Sequence, residues 1–377
     1  MKSVNHKGLR TWIEIDRKAI KENFNTFREL IPKKTKLMAV VKSNAYGHGL
    51  IDFSREVVAL GVDFLGVDSV TEALALRKNG ITTPILVLGY TLPEMIPAAA
   101  EADISITISS FEQLNCLKKL KLPSLKIHIK VDTGMRRQGF LAADLPKILG
   151  ELKVSSFKFQ VEGLYTHFAS AKNPAFPKDT ENQIVEFQKW IEAFKTAGLK
   201  PIVHAGATAG SMIYPKSHFD MVRIGIGLYG YWPAKEVEAA LKDKINLKPA
   251  LTWKTIISEL KKVPDGGRVG YDLTETIPKN STIAVCPVGY WHGYPRNLSS
   301  IGRVIVNSKP AKLSGRVSMD MIVIDVSKIP NLKVGNEVIL LGGKHPETSA
   351  EYLGYLSDTS YYEIITRLNP LIKRIYT

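Results

Sequence analysis

Lys42 closes the apolar run KLMAVVKS, where a lysine is chemically conspicuous. An ammonium among apolar neighbours is costly unless it is paired or used. A lysine that gives up its proton can instead condense with a carbonyl to form a Schiff base. Taken alone, a lysine at a strand end is more often a solvated terminus, so the weight falls on its company. Further cations end later apolar runs: Lys130, Arg136 and Arg137 in KVDTGMRRQG, and Arg223 in FDMVRIG. His167 ends FQVEGLYTHF, and Ala207 and Thr208 follow PIVHAG. The stretch GIGLYG fits GxGxxG, but it closes the repeating pattern instead of opening a strand–helix–strand unit, and Pro233 soon interrupts it. It is therefore a poor dinucleotide fingerprint. It reads better as a phosphate cup, with the Thr208 hydroxyl and the backbone N–H groups of Gly225 and Ile226 as donors.

The elements that position these residues alternate regularly. Ile20, Phe24, Phe27 and Leu30 lie at helical spacing. Short apolar runs starting at 36, 64, 84, 104, 124, 159, 201 and 219 read as buried strands, and each of the first seven is followed by a helix. Eight such units predict a closed α/β barrel of the TIM type, with an open doubly wound sheet as the alternative. Active sites in such barrels lie at the C-terminal strand ends, where the residues above fall. After about residue 240 the texture becomes β-rich, with Val/Ile runs punctuated by Gly, Pro and Asn and one helical stretch near 350–367. The expected organisation is a barrel over 17–240 and a mainly β domain over 241–377, the latter joined by the early strand 11–16.

Composition narrows the function classes. With 45% hydrophobic and 23% charged residues in 377, the chain is globular and not disordered. It has no run of about 18 apolar residues, and MKSVNHKGLR lacks the apolar core of a signal peptide. Two cysteines exclude a disulfide scaffold and fit a reducing, cytoplasmic setting with no membrane partner. The net charge of +15 raises nucleic acid as a partner. The basic residues are scattered, however, as at Lys118, Lys119 and Lys121, with no aromatic stripe and no nucleic-acid motif, so a solvated surface is the better reading. No HExxH, CxxC or DxDxDG pattern supports a metal. Lone His48, His128, His204 and His292 read as satisfied structural residues.

A Schiff-base lysine, a phosphate cup and arginines at strand ends together point to pyridoxal phosphate. Over essentially its full length the chain resembles the alanine racemase family. The resemblance is carried by TWIEIDRKAIKENF, AVVKSNAYGHG, PILVLG, KVDTGMRRQG, EGLYTHFASA and FDMVRIGIGLYG, then by VGYD, PVGYWHGYPR, GRVSMDM and YYEIITRL. It implies that Lys42 holds the cofactor as an aldimine and that Tyr271 is the second catalytic base. Tyr46 and Tyr362 would join Thr208, Gly225 and Ile226 at the phosphate, Arg223 would face the pyridine nitrogen, and Leu88 and His167 would complete the cofactor site. Arg137 would bind the substrate carboxylate, with Tyr290 and Met319 lining the substrate site and Lys130 at a position that is often carbamylated. It further implies a homodimer with shared sites that interconverts L- and D-alanine for peptidoglycan, with serine or another small amino acid as an alternative substrate.

Some positions depart from the commonest family pattern. Arg136 stands where glycine or asparagine is usual, Gln138 where leucine is, and Ala207–Thr208 where an Asn-Ser pair is frequent. Trp291–His292, Ser318 and Tyr361 also depart, which bears on substrate range and entrance shape. A barrel-type amino-acid decarboxylase is disfavoured, because Arg223 stands where an acidic residue is expected and no cysteine follows Cys286. A pyridoxal-phosphate carrier barrel would lack residues 245–377.

Overall fold

The computed structural model describes residues 6–120, 122, 124–153 and 159–377. Lys121 and the first five residues of MKSVNHKGLR lie outside the described residues. The chain divides into two compact units, Lys18–Ala45 with Leu50–Lys248, and the segment up to Arg17 with Tyr46–Gly49 and Pro249–Thr377.

The first strand, β1 (Thr11–Ile15), belongs to the second unit. The first unit is a barrel. Among the described residues, β2 (Lys36–Val40), β3 (Phe64–Val67), β4 (Ile85–Val87), β5 (Ile104–Ile108), β6 (Lys126–Lys130), β7 (Gln160–Tyr165), β8 (Ile202–Ala207) and β9 (Met221–Ile224) pair in parallel in that order, and β9 returns to β2. The strands are continuous apolar runs because both faces are covered, as at Leu37, Met38 and Ala39, all fully buried. Met38, Phe64, Leu86 and Met221 form one apolar cluster, with Leu88 and Ile202 packed against it.

Helices cover the outside with the expected periodicity. The helix Arg17–Leu30 buries Ile20, Phe24 and Phe27, and Lys178–Thr196 buries Thr180, Gln183, Phe187, Trp190 and Phe194. Close approach is required where Gly227 passes the Arg17–Leu30 helix, since a Cβ there would collide with the Phe27 ring. Asn23, fully buried on that helix, ties down the barrel's closing turn. Its Nδ2 donates to the carbonyls of Leu228 at 3.2 Å and Lys248 at 2.9 Å, and its Oδ1 accepts from Lys248 N–H at 2.8 Å.

The second unit is built on a sheet of nine strands among the described residues. In spatial order these are Glu259–Val263, Ser281–Cys286, Ile322–Asp325, Lys309–Leu313, Arg303–Val306, Glu337–Leu341, Leu251–Ile256, β1 and Lys373–Tyr376. Strand β1 runs antiparallel to Leu251–Ile256 and parallel to Lys373–Tyr376. The helical stretch expected near 350–367 is two helices, Ala350–Leu356 and Tyr361–Thr366, because Ser360 caps a new start by accepting from Tyr362 N–H.

Tyr46–Gly49 departs from the contiguous division drawn from the sequence, since it groups with the β-rich unit. The cause is the C-terminal strand. Arg374 donates to the Gly47 carbonyl from Nε at 3.1 Å and from Nη2 at 3.0 Å, and the Tyr376 hydroxyl donates to the His48 carbonyl at 2.9 Å.

Replacing Asn23 by alanine strands the buried Leu228 carbonyl and removes the partner of the carbonyl and N–H of the exposed Lys248. Asn23→Ala is expected to lower unfolding free energy by about 2–4 kcal/mol, measured by denaturant titration. A loss within about 0.5 kcal/mol would mean that the three bonds are replaced by other partners.

Candidate active site

Lys42 follows the fully buried Val41 at the C-terminal end of β2, and its ammonium lies 3.5 Å from Asp68. The chain then makes a left-handed turn through Ser43 (φ 56°), Asn44 (φ 55°), Ala45 (φ 51°) and Tyr46 (φ 50°). Left-handed backbone costs roughly 1–2 kcal/mol per non-glycine residue and persists only where neighbours over-determine it. Glu72 supplies part of that restraint, accepting from Ser43 N–H at 2.7 Å and from Asp68 N–H at 2.8 Å. Asn44 Oδ1 adds a bond from Leu50 N–H at 2.9 Å.

Arg223 points from β9 into the barrel with 3% exposure. Nη2 donates to the carbonyls of Thr166 and Ala205, both at 2.8 Å, and approaches His167 Nδ1 at 3.2 Å, while Nη1 donates to His204 Nδ1 at 2.9 Å. None of the hydrogen bonds among the described residues uses Nε. The guanidinium and the Lys130 ammonium lie over the Tyr165 ring, at 5.2 and 5.5 Å from its centroid. The Tyr165 hydroxyl meets Thr107 at 2.9 Å, and burial pushes it up to about 12.

Lys130 donates to Gln138 Oε1 at 2.9 Å. Burial, with Arg137 and Arg223 nearby, pulls Lys130 down to about 8. Asp132 organises the arginine turn, accepting from the N–H groups of Gly134, Arg136 and Arg137 at 2.9–3.0 Å. Arg136 sits at φ 55°, which gives a physical reason why glycine or asparagine suits this position. His167 is held by Gln183, whose Nε2 donates to its carbonyl at 3.3 Å. Burial, then the cations Arg223, Arg137, Lys130 and Lys42, pulls the imidazole down to about 3, so it is neutral near pH 7.

In the turns after β8 and β9, Thr208 Oγ1 accepts from Gly225 N–H at 3.2 Å and Gly227 N–H at 3.5 Å, which brings the hydroxyl beside the stretch that holds Gly225 and Ile226. Leu88 ends β4 and packs on the apolar cluster.

The remaining residues belong to the second unit. The Tyr46 and Tyr362 rings lie 6.2 Å apart, Tyr361 packs 4.9 Å from Tyr362, and burial raises both Tyr46 and Tyr362, Tyr46 to about 12. Tyr271 sits between Gly270 (φ 80°) and the strained Asp272 (φ 58°), with an Asp272–Arg316 ion pair of 2.7 Å beside it. Tyr290 N–H donates to the Ser318 carbonyl and Trp291 N–H to that of Met319, both at 3.0 Å. The segment 315–319 thus contacts Gly270 and Asp272 on either side of Tyr271 and the backbone of Tyr290 and Trp291, and Tyr271, Tyr290 and Met319 are 69%, 43% and 54% exposed.

Sequence reasoning passed over Glu72, Asp132, Tyr165, Gln183 and His204 as parts of the site. Only Asp132 carried a local signal, an aspartate opening a glycine turn. Among the described residues, no group of three or more His, Cys, Asp or Glu side chains is arranged to hold a metal ion, and no helix is long and apolar enough to cross a membrane.

Comparisons with known proteins cover the whole chain. The family model described as alanine racemase, N-terminal domain, matches residues 15–233, and that described as alanine racemase, C-terminal domain, matches 250–376. The chain is 40% identical to the alanine racemase of Methanococcus maripaludis, over 97% of this chain and 98% of that one. It is 38% identical to alanine racemase 2 of Oceanobacillus iheyensis, over 97% and 93%. Among solved structures, alanine racemase from Clostridium difficile 630 superposes with a TM-score of 0.92 at 32% identity, covering 98% of this chain and 96% of that one. The Bacillus anthracis alanine racemase with bound L-Ala-P gives 0.91 at 34%, covering 98% and 95%.

The neutral histidines make stability depend on pH. His167 has a folded value near 3 against 6.5 for the free side chain, and burial lowers His128 and His204 as well. Between those limits the unfolded chain binds protons that the folded chain does not. Stability is therefore complete above about pH 6.5 and falls as pH drops, each histidine contributing up to about 1.4 kcal/mol per unit. Urea titrations from about pH 7 to 5 should show this decline, and His167→Asn should make it shallower, leaving the part due to His128 and His204. A flat profile for the unaltered protein would contradict the neutral assignment.

Proposed function

The chain belongs to the alanine racemase family, and from that membership we propose that it interconverts L- and D-alanine with pyridoxal phosphate and two protein bases, supplying D-alanine for peptidoglycan in the cytoplasm. It is an amino-acid racemase, an isomerase. The donor set fits the cofactor. A lysine stands at one strand end, a hydroxyl and N–H groups cluster at the turn after β8 and β9, and a buried guanidinium has an Nε–H that none of the hydrogen bonds among the described residues uses.

That guanidinium carries the reading. Both Nη atoms of Arg223 already bond to the protein, at two carbonyls and two imidazoles, while Nε bonds to nothing among the described residues, and in this reading Nε–H is the donor to a ring nitrogen. Arginine does not give up its proton at working pH, so it offers a hydrogen bond without protonating that nitrogen. When bound, pyridoxal phosphate supplies the electron sink that acidifies the α-proton of an amino acid. Lys42 would hold it covalently, and Thr208, Gly225 and Ile226, with Tyr46 and Tyr362, would hold its phosphate. Leu88 and His167 would border the ring. Arg137 would take the substrate carboxylate beside Lys130, the candidate for carbamylation. Lys42 and Tyr271 would exchange protons with opposite faces of the α-carbon.

We further propose a homodimer. Tyr271, Tyr290 and Met319 are exposed on a single chain, and a second copy would bury them while completing its own site with them. In this reading 17–240 is the cofactor-binding barrel and 241–377, with strand 11–16, is the domain that lends Tyr271.

Chiral chromatography of L-alanine, L-serine and L-lysine after incubation with protein and cofactor tests the activity. Conversion of alanine is expected, and conversion of none would end this reading. Lys42→Ala should abolish the visible absorbance of bound cofactor, and borohydride reduction followed by peptide mapping of the unaltered protein should label Lys42. A label on another lysine would overturn the assignment.

Tyr271→Phe separates the two faces. Racemisation in both directions must fall together, since the enantiomers are equal in energy. Exchange of the α-deuterium is not bound in that way. The variant should still exchange that of D-alanine through Lys42 and fail with L-alanine. Retained exchange from L-alanine would point to a single base.

A further inference from the structure

Arg223 stands at one end of a row of buried side chains that the proposed chemistry does not use. Its Nη1 donates to His204 Nδ1 at 2.9 Å. His204 Nε2 lies 2.9 Å from His128 Nδ1, and His128 Nε2 lies 3.1 Å from Glu162 Oε2. Ser105 also donates to that carboxylate oxygen. Both histidines are fully buried, while the Glu162 side chain is 19% exposed. The row crosses from β9 through β8 and β6 to β7.

The chemistry of the two ends fixes every proton between them. Arginine can only donate, so His204 Nδ1 must accept. Its proton then sits on Nε2 and is donated to His128 Nδ1. His128 in turn carries its proton on Nε2 and donates it to Glu162, which as a carboxylate can only accept. Any other neutral tautomer sets donor against donor or acceptor against acceptor. We infer that Glu162 is a positioning residue for Arg223, acting through a one-way relay of hydrogen bonds that passes through neutral His204 and His128.

Two further observations agree. Burial holds both imidazoles below the ordinary range, and Arg223 lowers them further, so the relay carries no imidazolium at neutral pH. Room for it is built into the backbone. His128 is paired with Gly163 across β6 and β7, next to an irregularity in the register, and a Cβ on Gly163 would overlap the His128 ring. The stacked Tyr165 and His204 rings, 4.7 Å apart, hold the second imidazole in line. Glu162 is thus the anionic anchor that orients the guanidinium three side chains away.

The consequence for turnover rests on the proposed reading that Arg223 serves the cofactor, but the proton positions do not. Nitrogen-15 NMR of the histidine rings in the cofactor-loaded protein should show His128 and His204 neutral and protonated on Nε2. Glu162→Gln, which keeps an acceptor oxygen, should preserve both tautomers. Glu162→Ala keeps the tautomers that Arg223 imposes but removes the acceptor of His128 Nε2–H, so it should move the His128 Nε2–H nitrogen and proton resonances and lower kcat for alanine about tenfold, the scale of one weakened bond to a charged group, with KM within about twofold. An imidazolium or an Nδ1-protonated ring in the unaltered protein would overturn the inference. So would a Glu162→Ala protein whose His128 Nε2–H resonances stay where they are in the unaltered protein, whatever its kcat. Should Glu162→Ala not fold, the unaltered and Glu162→Gln spectra decide alone. A protein that racemises nothing but shows the expected tautomers would retain the relay and lose only the proposed reaction.

Discussion

A guanidinium with 3% exposure inside a parallel barrel must find its acceptors in the protein, because an unpaired buried charge is among the costliest features a fold can carry. Arg223 meets that demand partly from the backbone. The carbonyls of Thr166 and Ala205 turn toward it, and the pairing of β8 with β9 shifts register between His204 and Ala207, where Ala205 lies. The ladder is interrupted at the place where a carbonyl is wanted elsewhere. Burial still pulls the group down only to about 10, so it stays a cation at neutral pH. His204, Tyr165 and His167 are then constrained in turn, each placed against a positive charge it must not oppose.

Much of this architecture is legible in the chain because it rests on local pattern. Continuous apolar runs such as KLMAVVKS and PILVLG can only be strands covered on both faces, and their even alternation with helices leaves a closed barrel as the natural solution. Lys42 and Arg223 were legible for a related reason, since a cation at the end of an apolar run is a local anomaly. Thr208 and Gly225 stand out in the sequence as part of a donor-rich stretch, but that the hydroxyl accepts from Gly225 and Gly227 N–H depends on the course of the turn after β9, which the composition of GIGLYG does not encode.

What escaped the sequence depends on contacts between distant residues. Arg374 reaches Gly47 across 327 positions, and no periodicity in either segment announces it. The left-handed run from Ser43 to Tyr46 contains no glycine, so the usual signal of such backbone is missing, and part of its restraint comes from Glu72 in the first turn of the helix Val70–Lys78. His128 and His204 look like ordinary core histidines because each is satisfied. Their significance lies in the direction of their hydrogen bonds, which only the two terminal partners reveal.

The substitution at Gln138 follows the same logic of matching a neighbour's charge. Lys130 is surrounded by Arg137, Arg223 and Lys42, with Asp132 as the nearby anion, and its proton is correspondingly loosened. Leucine at 138 could offer such a lysine nothing. A carboxamide offers its oxygen to an ammonium, the arrangement seen at 2.9 Å, and by turning over it offers its nitrogen to a carboxylate in the same place. Gln138 therefore satisfies Lys130 as an ammonium, where an apolar side chain would leave that N–H group without this acceptor.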